Sequence, residues 1–417
     1  MTSKPETRTD LPLWKKVLFS AILLTILLVI GEFAAARLLR YTQGYDGRHL
    51  EQFIFDPYKN MHPNPGYVDV RGIQHNRNGF RRTADVERVK PAGTYRIFLM
   101  GASTAYGTGG LWPHIQRDYA VLDNSQTIDA YLEKQLGDAF PGQTFEVINA
   151  GIPSTWTHHN LIYLNQTVLP YNPDMVLFLD GFNDFYYYDP THDQFGDYAY
   201  TDHSYVIMGR PTIRSLFSAN AWWFFRKSAL VHAVSRSARN LKRLFSRPGE
   251  RAPIEIDNAV ASVETVFRNN ALSMMERSAL IARHEGVTPV FMLQPLLILE
   301  RDRPGLTDIE KQMLAFNVES YLPGYEQFMQ RAVPRLAMIE DSALAAVGGE
   351  FIDLTGIFRN ADGQIFTDYA HLTPSGNEIL ARVVTERIRP LIGASLNADS
   401  ALVHTGAAGP EMAGRTQ

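Results

Sequence analysis

Five short apolar runs punctuate the chain: Arg96–Met100, Phe145–Asn149, Met175–Leu179, Thr288–Leu293 and Glu350–Leu354. They are rich in β-branched and aromatic residues and lack the polar alternation of a half-exposed strand, which predicts strands buried on both faces. Between them apolar residues recur at helical spacing over Gln126–Phe140, His158–Leu169, Asp257–His284, Tyr325–Ala346 and Pro374–Ile388. Short buried strands joined by helical crossovers predict an α/β fold of three layers, α/β/α, around a central five-stranded parallel sheet. In such sheets a ligand sits beyond the carboxyl ends of the strands, so those ends are the places to look for chemistry.

Ahead of this alternation the pattern differs. Val17 to Gly31 is uncharged and apolar, and Glu32, Phe33 and three alanines extend it to Arg37. A spanning helix needs about 20 mostly apolar residues, and Val17–Ala36 supplies them if Glu32 lies near an interface. Residues 17–39 read as one N-terminal transmembrane helix, an uncleaved anchor, behind a cytoplasmic tail over 1–16. A cleaved signal peptide is the rival reading, with Ala34 and Ala36 in small-residue cleavage positions; Glu32 in that region, and a helical pattern running on to Leu39, favour the anchor. Lys4, Arg8, Lys15 and Lys16 precede the segment while Arg37, Arg40 and Arg48 follow it, a slight bias. The expectation is a single-pass protein of the cell (inner) membrane, with its large C-terminal body extracytoplasmic.

Residues 40–94, rich in Tyr, Pro, Gly, Asn and Arg, predict a lead-in of loops and short strands. The α/β domain takes 95–393, interrupted by an insertion over 185–253, and residues 394–417 read as a flexible tail. Within the insertion, Trp222-Trp223-Phe224-Phe225 precedes Arg226, Lys227, Arg236, Arg239, Lys242, Arg243, Arg247 and Arg251, against a single acid, Glu250. Three readings fit: a basic amphipathic helix on an anionic membrane surface, an aromatic platform for polysaccharide, or a solvated helix packed on the core.

Composition narrows the chemistry. A net charge of −4 gives no basic footprint for nucleic acid. Zero cysteines exclude disulfides, thiolate metal centres and cysteine nucleophiles, leaving covalent chemistry to Ser, Thr, Asp, Glu, Lys, Tyr or His. No phosphate-binding glycine loop follows the first strand, which removes a nucleotide-dependent enzyme.

Four strand ends carry candidate groups. The first strand ends in Gly101-Ala102-Ser103-Thr104-Ala105-Tyr106-Gly107, where a serine flanked by glycines can present its hydroxyl at the sheet edge. The second ends in Asn149-Ala150-Gly151, and a glycine lets a ligand oxygen approach a backbone N–H. The third ends in Asp180-Gly181-Phe182-Asn183-Asp184; Asn183 is a neutral donor suited to a developing alkoxide, and no histidine at ligand spacing supports a metal at Asp180 and Asp184. After the fifth come Asp368 and His371, followed by Thr373-Pro374 as helix cap and first helical position. Three-residue spacing can set the Asp368 carboxylate beside the His371 ring, holding one tautomer while the other nitrogen faces a hydroxyl. Each motif alone is also an ordinary turn.

Together the ordered set Gly-x-Ser-x-x-x-Gly, Asn-x-Gly, Gly-x-Asn-Asp and Asp-x-x-His resembles the SGNH (GDSL-type) hydrolases, over about Arg96 to Pro390 with the insertion excepted. Ala102 stands where the founding signature has Asp, a position without a catalytic role. The resemblance implies a flavodoxin-like sheet, Ser103 as nucleophile, Asp368 and His371 completing a triad, and an oxyanion hole of Ser103, Gly151 and Asn183, with neither metal nor cofactor. The anchor and insertion resemble the membrane-anchored bacterial branch, some of whose members transfer O-acyl groups within envelope polysaccharide. The expected partner is therefore an ester substrate such as acetylated polysaccharide, with O-acyl transfer and a non-catalytic scaffold as alternatives to hydrolysis.

Overall fold

The computed structural model describes residues 11–43, 52–110, 121–181, 183–184, 188–189, 194–195, 228, 230–231, 234, 255–320 and 324–405, except 57 and 70. The chain divides into two compact units: Met1–Glu51 with His203–Pro248, and Gln52–Asp202 with Gly249–Gln417. The middle of the predicted insertion thus groups with the N-terminal segment rather than with the sheet.

In the first unit one helix, α1 (Leu13–Gln43), contains a stretch long and apolar enough to cross a membrane, Leu13–Leu38. Every side chain from Val17 to Ile30 is exposed. No face is polar, so the helix has no side suited to water, unlike an amphipathic surface helix.

The second unit opens with an antiparallel hairpin, β1 (Phe53–Asp56) and β2 (Asn60–Pro63), the short strands expected of the lead-in. Its main sheet holds five parallel strands: β3 (Thr94–Gly101), β4 (Thr144–Gly151), β5 (Met175–Asp180), β8 (Thr288–Leu293) and β9 (Glu350–Asp353), in the order β4-β3-β5-β8-β9. Numbered within the sheet this is 2-1-3-4-5, the flavodoxin-like order, whose switch point lies between β3 and β5. Two small strands of the insertion, β6 (Tyr188–Asp189) and β7 (Gln194–Phe195), form a separate hairpin. Trp222–Phe225 and the basic run lie outside the described residues.

Strand alternation sorts the core into two layers. Ile97 and Leu99 of β3 join Val147 and Leu177 against Leu132 of α3 (Ile128–Ala139) and Leu380 and Val384 of α9 (Pro374–Thr405). Phe98 and Met100 face the other way, with Ile148 and Phe178, toward Val263 of α5 (Ile256–Phe267), Met275 of α6 (Ser273–His284) and Leu336 of α8 (Tyr325–Ala346). The stretch predicted as one helix over Asp257–His284 is α5 and α6 joined by a π-helical turn, Arg268–Leu272; a similar turn, Leu164–Val168, follows α4 (Thr157–Tyr163). The last helix continues past Ile388 into the stretch expected to be loose, reaching Thr405. One helix, α7 (Asp308–Ser320), was not predicted.

Candidate active site

The first predicted strand end delivers Ser103 at the start of a single helical turn, α2 (Ser103–Tyr106), directly after β3. Gly101 makes this turn attainable. Its φ is 138°, and a Cβ there would lie 2.2 Å from the Leu179 carbonyl oxygen of β5, so only glycine fits. Ser103 is half-buried while Thr104, Ala105 and Tyr106 behind it are buried.

Asp368 and His371 sit on a tight excursion after β9. Phe366 and Leu372 form an antiparallel bridge, and Thr367 N donates to the His371 carbonyl at 2.8 Å. Asp368 Oδ1 accepts the N–H groups of Ala370 and His371, each at 2.9 Å, and Asp368 Oδ2 accepts from His371 Nδ1 at 2.7 Å. Because the carboxylate only accepts, Nδ1 carries a proton, which in the neutral ring makes Nε2 the nitrogen with the lone pair. Nε2 is buried and has no hydrogen-bond partner among the described residues. Thr104 Oγ1 donates to the Ala370 carbonyl at 3.3 Å, tying the serine's turn to the residue before His371. Thr373 caps α9 as expected, its Oγ1 accepting from Gly376 N at 3.2 Å.

Asn183 Nδ2 donates one hydrogen to the Thr155 carbonyl at 2.6 Å, which fixes the amide and leaves its second N–H. Gly151 departs from expectation. Its N–H is donated to Asn149 Oδ1 at 3.0 Å, so it is not open to a substrate oxygen. The missing side chain serves packing instead: a Cβ would lie 2.2 Å from Tyr106 N of α2. The next loop residues include Ser154, whose φ of 62° is left-handed, uncommon outside glycine and frequent at functional sites.

Several residues that build the site escaped the sequence reading. Buried Asn149 donates Nδ2 to Asp129 Oδ1 at 2.7 Å and to the Ala105 carbonyl at 3.0 Å, binding β4 to α2 and α3. Its bond to Gly151 is an i to i+2 side-chain turn, for which Asn-x-Gly is a legible signal. From the lead-in, buried Arg81 donates Nη1 to the carbonyls of Tyr106 (2.9 Å) and Gly107 (2.7 Å), Nη2 to that of Leu122, and Nε to Asn124 Oδ1. His75 completes this grip. Burial pushes its ring down to about 3, so it is neutral; Nδ1 donates to the Asn64 carbonyl at 3.1 Å and Nε2 accepts from the Tyr106 hydroxyl at 2.7 Å.

Beneath the Asn183 loop lie three buried carboxyl groups. Asp180 Oδ2 accepts from Asn160 Nδ2, and Asp184 Oδ1 accepts from Thr157 Oγ1 at 2.9 Å, fastening the loop to α4. Asp180 Oδ1, Asp184 Oδ2 and Glu340 Oε2 have no partner among the described residues. Burial, with Asp184 nearby, pushes the Asp180 carboxyl up to about 8; burial pushes Asp184 up to about 7 and raises Glu340 well above the carboxylate range. Among the described residues no group of three His, Asp or Glu could hold a metal ion. In the unfolded chain these groups ionise near pH 4. Folding therefore favours their protonated forms, and the stability they confer is complete below about pH 4 and is lost as pH rises toward 7–8. Thermal unfolding should accordingly show a lower Tm at pH 8 than at pH 5, and Asp180→Asn should flatten that slope; an unchanged slope in the variant would remove Asp180 from the account.

No protein-family model matches the chain, and no curated protein matches it. Solved structures similar to it include a catalytic mutant of Axe2, an acetylxylan esterase from Geobacillus stearothermophilus, at 12% identity and a TM-score of 0.38, covering 72% of this chain and 96% of that one. TesA is similar at 15% identity and a TM-score of 0.36, covering 71% and 99%, and an extracellular lipase from Streptomyces rimosus at 11% and 0.38, covering 70% and 99%. At these identities and TM-scores the chemistry has to be read from this chain's own residues.

Proposed function

We propose that this protein is a serine esterase of the SGNH kind that cleaves acyl esters, O-acetyl groups on cell-envelope carbohydrate in particular, through a covalent acyl-serine. The observation that carries the reading is the Asp368–His371 pair: a 2.7 Å bond fixes the tautomer, and Nε2 is buried and unclaimed on a loop tied to the serine's turn. His371 Nε2 takes the Ser103 proton as Oγ attacks the ester carbonyl, and Asp368 stabilises the imidazolium. The tetrahedral oxyanion collapses, the alkoxide leaves with the proton from His371, and water repeats the sequence in reverse to release the acid. The Ser103 N–H and the second N–H of Asn183 meet the oxyanion.

Asn183→Ala tests the hole. With p-nitrophenyl acetate kcat should fall by about 10²–10³ with little change in KM, since the donor acts on charge present only in the transition state. A change confined to KM would make Asn183 a substrate-binding group instead. Incubation with acetylated glycan and a second glycan as acceptor, following free acetate against transferred acetyl, decides between hydrolysis and transfer; absence of fluorophosphonate labelling at Ser103 would leave the scaffold reading.

A further inference from the structure

Within the first unit the apolar helix is not a bare rod. Among its described side chains from Lys16 to Arg40, only Gly31, Glu32, Ala35 and Ala36 are covered, and they fall on one face of its last turns. Glu32 Oε2 accepts two hydrogen bonds from the insertion, from Ser228 Oγ at 2.6 Å and from Leu230 N at 3.1 Å. Ser228 Oγ in turn accepts from Val231 N at 3.2 Å, the pattern of a helix N-cap. Beside it, a Cβ on Gly31 would stand 3.4 Å from Leu230 Cδ2, so the absent side chain gives Leu230 room to pack. Small residues at i and i+4 with one polar clasp make a typical close helix contact in an apolar medium.

We infer that α1 is a permanent part of the folded protein, onto which the insertion docks at Ser228 and Leu230 through Glu32 and the Gly31–Ala35 face. This rests on α1 lying in the membrane. It gives Glu32 a use that a cleaved leader has no need of: an acidic group in an apolar helix is costly unless paired, and here its partners come from about two hundred residues further along the chain. The insertion is thereby held beside the anchor instead of being free on the catalytic unit.

The chain has no cysteine, so an engineered pair reacts alone. The full-length protein in native membranes, carrying Gly31→Cys and Leu230→Cys, is treated with a short bis-maleimide and digested, and the joined peptides are sought by mass spectrometry. The pair should cross-link, whereas Leu23→Cys with Leu230→Cys, displaced along the helix by about 12 Å, should not. Adding Glu32→Ala should lower the yield roughly tenfold, and Glu32→Gln, which keeps an acceptor, should lower it less. A full-length chain without the joined peptide overturns the docking and spares the anchor. A mature chain beginning after Ala34 or Ala36 overturns both. Ester hydrolysis, read on the same samples, is independent of either result.

Discussion

Ser103→Ala should abolish turnover of p-nitrophenyl acetate, with kcat falling on the order of 10⁶-fold, while thermal unfolding stays within about 1 °C of the parent. The asymmetry follows from where the side chain stands. Ser103 is half-buried, and its backbone carbonyl, not its hydroxyl, accepts the hydrogen bonds that close the turn, from Gly107 N at 3.0 Å and Thr108 N at 2.9 Å. Removing Oγ therefore takes away the nucleophile without loosening Gly101, Thr104 or Tyr106, which hold the turn in place. A loss of that size corresponds to about 8 kcal/mol of transition-state stabilisation. The residual rate belongs to the Asn183 side of the site and to substrate binding. Full activity in the variant, or equal loss of activity and of Tm, would take Ser103 out of the chemistry.

Glu310→Ala should destabilise the fold by about 3–5 kcal/mol. Neither the Glu310 nor the Arg303 side chain is exposed, and they pair at 2.6 Å. The same Oε2 accepts from Thr307 N and Oγ1, both at 3.0 Å, capping α7, while Oε1 accepts from Ile365 N and Phe366 N, both at 3.0 Å. Alanine leaves a buried guanidinium uncompensated and frees the strand-like segment that leads into Asp368. Tm should drop on the order of 10 °C, and kcat should fall with it even below the new Tm, because the Asp368–His371 excursion loses its floor. Glu310→Gln, which can still accept at one oxygen, should recover part of both. A fall in Tm with kcat intact would mean that the excursion is held by its own hydrogen bonds.

What could be read in advance depended on how local the cause was. Four of the five strands were legible because they are buried along most of their length and bounded by turn residues, Met175–Asp180 at every position. The edge strand Glu350–Asp353, exposed at Glu350 and Asp353, was legible from its short apolar centre and its place in the alternation. Asp368 and His371 were legible because three residues on one turn suffice to bring them together. Helix α7 was not: what fixes its start is Glu310, whose side chain accepts from Thr307 and reaches across to residues 365 and 366. Its Thr307-x-x-Glu310 capping signature was in the sequence all along. The Gly151 assignment failed for the opposite reason, since the group that occupies its N–H is only two residues away. Arg81 and His75 could not be found by spacing, because their partners at Tyr106, Gly107 and Leu122 are brought to them only once the sheet is assembled.

The hold of Arg81 also decides how the protein can be divided. None of its four acceptors belongs to the lead-in: they are main-chain oxygens at Tyr106, Gly107 and Leu122 and the side chain of Asn124. A fragment cut at the first strand of the sheet would keep all five motif residues and still be short of the donors that shape the turn behind the serine. Residues 52–94 thus act as a built-in jig for the turn that carries Ser103, and on the proposed function the smallest fragment expected to turn over an ester starts at Gln52.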